Sequence, residues 1–124
     1  MGSHEWVSQW SPEQFEIDYD DLMSFIRANA PDSYIIWHGI YNWIHPTLNP
    51  TADPNLPNGN GLTYNGMRDI VQSLSTTYGC IYVNWNECNM DFTIDLPDGI
   101  HAYSPRGGLK LANKTLEAIN TLIE

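Results

Sequence analysis

The most chemically loaded stretch of the chain is Asp98-Gly99-Ile100-His101. A carboxylate three positions before a histidine in a tight turn reaches the ring nitrogen far from the reacting side. There it fixes the tautomer and stabilises the imidazolium, which makes His101 a general base and Asp98 its orienting partner. The plainer reading is a turn aspartate before Gly99 and a histidine lining a loop. Position, after the last expected strand and just before a helix opened by Ser104-Pro105, lifts the pattern above chance, yet on the residues alone the plainer reading stands.

A second cluster, Trp37, His38, Tyr41 and Trp43, falls where a strand should end. Its aromatic faces suit stacking on a sugar ring or an acyl group, although Trp37 equally suits a core. His38 and His45 match no standard ligand spacing, and Cys80 and Cys88 form neither a CxxC pair nor a disulfide framework, so no metal and no cofactor is expected. Asp91 and Asp95 read as solvated loop carboxylates and Arg106 as a surface cation. Ser104 reads as a helix cap, and neither it nor Ser3 reads as a nucleophile.

These residues need elements to hold them. Ser11-Pro12 with Gln14 announces a helix whose stripe is Phe15, Tyr19, Leu22, Met23 and Ile26, ending at Pro31. Tyr34-Ile35-Ile36-Trp37 reads as a strand buried on both faces, and residues 42 to about 62, dense in Pro, Asn and Gly, read as a long surface connection. A second helix from about Thr63 carries Met67, Ile70, Val71, Leu74 and Tyr78 and stops at Gly79. Cys80 to Trp85 is the second strand, and the last helix carries Leu109, Ala112, Leu116, Ile119 and Ile123 as its packing stripe. Strands joined through a helix are normally parallel, so the fold class is α/β. Two doubly covered strands make a narrow sheet whose edges ask for partners.

With 124 residues, 42% of them hydrophobic and 16% charged, the chain has the make-up of one globular domain. A formal charge of -10 argues against nucleic acid and anionic membranes as partners. No apolar run reaches the length of a membrane span, and the start lacks the pattern of a signal peptide. The cellular compartment stays open.

The run Asp98-Gly99-Ile100-His101, then Ser104-Pro105, Gly107-Gly108 and Ala112, resembles the final motif of the SGNH, or GDSL-type, hydrolases, a family of esterases and acetylesterases. The helix opening Ser11-Pro12-Glu13-Gln14-Phe15 and the run from Ala30 to Trp37 are similar to the family's helix and fourth strand. The resemblance implies a three-layer α/β/α, flavodoxin-like fold with parallel strands. It also implies a Ser-His-Asp triad completed by His101 and Asp98, and small acyl esters, such as O-acetyl groups on carbohydrate, as substrates.

The family's Gly-Asp-Ser nucleophile motif is not in this sequence, nor is its second motif with the oxyanion-hole glycine. Its third, Gly-x-Asn-Asp, falls on Gly2-Ser3-His4-Glu5. Those residues are either a diverged oxyanion motif, with His4 in the asparagine's place beside Gly2, or an expression-tag remnant spanning residues 1–4. Residues 1–124 are accordingly expected to be a single domain, the C-terminal portion of an SGNH-like domain incomplete at its N-terminus. Its partners would be an N-terminal half in trans or further copies of itself. The alternative is a non-catalytic module that binds carbohydrate or oligomerises.

Overall fold

Three helices begin by the same chemistry. A hydroxyl accepts the backbone N–H three residues on, Ser11 from Gln14 at 3.1 Å, Thr63 from Gly66 at 2.8 Å and Ser104 from Gly107 at 3.0 Å. Each such cap contributes about 1 kcal/mol. The computed structural model describes residues 2–102 and 104–123. Among them the order is α1 (Ser3–Val7), α2 (Pro12–Asn29), β1 (Ile36–Gly39), α3 (Tyr64–Thr77), β2 (Ile81–Asn84) and α4 (Pro105–Leu122), with a 3-10 turn at Trp85–Cys88.

β1 and β2 pair in parallel, in register from Ile36 with Ile81 to Gly39 with Asn84, and α3, which joins them, packs on both. The chain is thus a mixed α/β fold with a small parallel sheet. The first strand starts two residues later than the sequence suggests, and Tyr34 is exposed. Arg27 explains the delay. Its guanidinium donates to the carbonyls of Ala30, Pro31 and Ser33 after α2, and to those of Tyr78 and Gly79 after α3. Chain gathered around a cation is held in turns until pairing begins, with Ile81 N–H donating to Ile35 O at 2.8 Å.

Successive strand residues point to opposite sides. Trp37 enters the main core with Phe15, Met23, Met67 and Val71, while His38 faces α4 and lies 3.1 Å from the Thr115 hydroxyl. Residues 2–10, given no element from the sequence, contribute Trp6 and Trp10 to that core. Trp6 is buried against Trp43 and Tyr64, and the Asn58 amide donates to the carbonyls of both Trp6 and Trp10.

Two expectations are corrected. Asp95 is fully buried, not solvated, because its carboxylate sits 2.5 Å from Lys110 Nζ and 3.1 Å from Arg106 Nε and accepts the Asp91 N–H at 2.8 Å. Arg106 is therefore not an idle surface cation. The stripe read as the packing face of α4 faces outward, with Leu109 60% and Ile123 80% exposed and Leu116 and Ile119 also exposed. The helix instead turns Thr115 to the sheet, with Leu111, Ala118 and Leu122 half-buried at the same helical spacing. Two strands are too narrow a platform to cover both rows.

Candidate functional site

Asp98 builds the turn that carries His101. One carboxylate oxygen accepts the backbone N–H of Ile100 at 2.9 Å and of His101 at 2.7 Å, while the other lies 2.7 Å from His101 Nδ1. Gly99 supplies the φ of 80° that closes the loop, a conformation L side chains rarely adopt. The His101 backbone N–H, and after it the His101 ring, hold the Asp98 carboxyl well below the usual carboxylate range, at about 2. A carboxylate at Nδ1 selects the tautomer protonated there, so Nε2 carries the basic lone pair. The pair stands at the rim, with Asp98 and His101 side chains 41% and 54% exposed.

The turn is docked on the segment after β1. Ile44 N–H donates to Gly99 O at 2.7 Å, and the Tyr41 hydroxyl donates to Ile100 O at 2.8 Å. A Cβ on Gly99 would lie 3.1 Å from that of Ile44, so the approach is close. Below the turn lies a cavity of about 380 Å³. His38, Tyr41, Trp43 and Trp85 wall it, Ile40 and Ile100 add aliphatic surface, and Ser3 and His101 place a hydroxyl and an imidazole on its lining.

The walls are fixed from behind. The His38 ring stacks on Trp85 with centroids 3.9 Å apart, and Trp43 stacks on Tyr64 at 3.6 Å. The Thr115 hydroxyl gives its one proton to Leu111 O, so it accepts from Trp85 Nε1–H at 3.3 Å and from His38 Nε2–H at 3.1 Å. Burial lowers the His38 pKa, which favours the neutral ring.

Of the residues singled out from sequence, His101, His38, Tyr41 and Trp43 converge on this cavity, with Asp98 behind His101. Trp37 does not line it; it is packed in the core. Gly2 is the buried cap of α1 and donates its N–H to Glu5 Oε2 at 2.7 Å, so that donor is already spent. His4 is exposed on α1 and is not among the lining residues. His45 is used locally, its Nδ1 accepting the N–H of Thr47 and Leu48. Ser3 and Trp85, which no sequence signal places in the site, also line it. The sequence pattern carries the second strand through Trp85, whereas β2 stops at Asn84 and Trp85 lines the site.

The arrangement places a carboxylate-oriented imidazole at the edge of an aromatic cavity, an arrangement suited to proton transfer to and from a bound molecule. Comparison with protein-family models, with curated proteins and with solved structures returns no match for this chain.

Proposed function

We propose that the chain is a piece or descendant of an SGNH-type ester hydrolase, with His101 as general base and Asp98 as its orienter. In that reading β1 and β2 form one side of a three-layer α/β/α sheet, and the nucleophilic serine is supplied from outside this chain. His101 takes the proton of that serine as its oxygen bonds to the ester carbonyl carbon, then gives the proton to the departing alcohol as the ester bond breaks. Water repeats the sequence to release the acid. Small acyl esters, O-acetyl groups on carbohydrate among them, are the substrates the resemblance implies.

The observation that carries this reading is the 2.7 Å contact of Asp98 with His101 Nδ1, in a turn docked over a cavity that His101 lines. The Gly2 donor is spent on Glu5, so an oxyanion would need donors from elsewhere, and the isolated chain is expected to leave p-nitrophenyl acetate uncut. Co-expression with a half-domain bearing Gly-Asp-Ser should create activity that His101→Ala lowers by about a thousandfold or more. Activity that survives His101→Ala unchanged would remove the dyad from the mechanism.

The outward row Leu109, Leu116, Ile119 and Ile123 favours a second reading, an oligomerising module. Sedimentation distinguishes the two. Association without hydrolysis, abolished by Leu109→Lys with Leu116→Lys, supports assembly as the function.

A further inference from the structure

Among acyl groups, the cavity beside His101 fits an apolar ring better than the acetyl group that the family resemblance implies. Its volume, about 380 Å³, equals roughly a dozen waters at about 30 Å³ each. An acetyl group would displace only a few of them and leave the rest against hydrocarbon. Two walls are flat. Trp85 and His38 stack with an interplanar angle of 21°, and the Tyr41 ring is tilted 34° to Trp85 at 6.5 Å.

Three polar atoms of these walls are committed inward, while the Ser3 hydroxyl and the His101 imidazole stand on the lining at one end. Trp85 Nε1 and His38 Nε2 both donate to the Thr115 hydroxyl, and the Tyr41 hydroxyl donates to Ile100 O. A sugar buries several hydroxyls and requires partners for each, since an unmatched buried hydroxyl is costly. Ile40 and Ile100 offer none. A planar hydrocarbon asks only for stacking and apolar contact, and the walls are braced to give both without rearranging.

We infer that the cavity is an acyl-binding slot for aromatic acids, taking the ring of an arylacyl or cinnamoyl ester with the ester carbonyl toward His101. Only the placement of the carbonyl rests on the hydrolase reading above; the ring preference rests on the walls. Trp85 is the specificity-determining residue, braced from behind by the Thr115 hydroxyl.

The test is equilibrium binding to the full chain, read from the Trp85 indole N–H resonance and from calorimetry. The probes are methyl cinnamate, methyl acetate and a methyl glucoside. Methyl cinnamate should bind at least about tenfold more tightly than the other two, and Trp85→Leu should weaken it by about tenfold. Ile100→Trp, which fills the slot from another lining position, guards against a Trp85 variant that fails to fold and should abolish binding. Equal affinity for acetate, preference for the glucoside, or binding unmoved by both variants would overturn the slot. Binding without hydrolysis in a complemented enzyme would overturn the dyad and leave the slot standing. Hydrolysis without ring preference would do the reverse.

Discussion

Gly107 approaches Asp95 so closely that a Cβ added there would lie 2.3 Å from the Asp95 carbonyl oxygen. Its neighbour Gly108 has only the Ala102 carbonyl oxygen near, at 3.8 Å. The two glycines therefore answer to different physics. Gly107→Ala should destabilise by about 1–3 kcal/mol, the range for forcing extra volume into a packed contact. Gly108→Ala should stabilise by about 0.5–1 kcal/mol, since its helical backbone gains from a side chain. Urea denaturation of both variants checks the opposite signs.

Asp98 sets an acid-side dependence. Its pKa is pushed down from 3.8 to about 2, so its contribution to stability is complete above the ordinary value and is lost as pH falls from there toward 2. Carbon-detected NMR titration should place the Asp98 midpoint near that lower value. Asp98→Asn should flatten the stability profile across the same window. A midpoint at the ordinary carboxylate value would contradict the turn as described.

His38 acts in the same direction at higher pH. Its folded pKa lies below the ordinary 6.5 because burial disfavours the charged ring, so stability is held above 6.5 and falls as pH drops below it. His38→Gln should remove that slope between neutral pH and the onset of Asp98 protonation. Thermal melts at closely spaced pH values give the readout.

Trp6 tests whether residues 2–10 belong to the folded unit. It is 2% exposed and meets Trp43 and Tyr64 edge-on. Trp6→Ala should cost about 3–5 kcal/mol, the range for deleting a buried large aromatic, and should perturb the Trp43 wall of the cavity. Unchanged stability would show those residues to be dispensable.

Most elements were legible because their signals are local. Ser11-Pro12, Thr63 and Ser104-Pro105 cap helices by contacts three residues away, and the Asp98 turn closes on itself through Ile100 and His101. What escaped depends on distant partners. Asp95 became buried only through Lys110 and Arg106, fifteen and eleven positions later, and no periodicity announces such a pairing. The short α1 has no stripe of its own and is held by Glu5, Asn58 and the core around Tyr64. Trp85 reads as one more strand residue until the strand's true end is known. The apolar stripe on α4 is plain in the sequence, but its outward aim follows from sheet width, which the stripe's own pattern does not encode.

That outward row on α4 also bears on how the protein behaves in a tube. Copies with greasy helices on display stay dispersed when their like charges hold them apart, and here fifteen acidic groups against five basic ones supply the repulsion at neutral pH. Acidification toward the isoelectric point near 4.5 discharges it, while Asp98 remains ionised and its turn intact. Turbidity should consequently set in near that pH while the Asp98 turn is still formed, so that loss of charge repulsion precedes loss of the dyad.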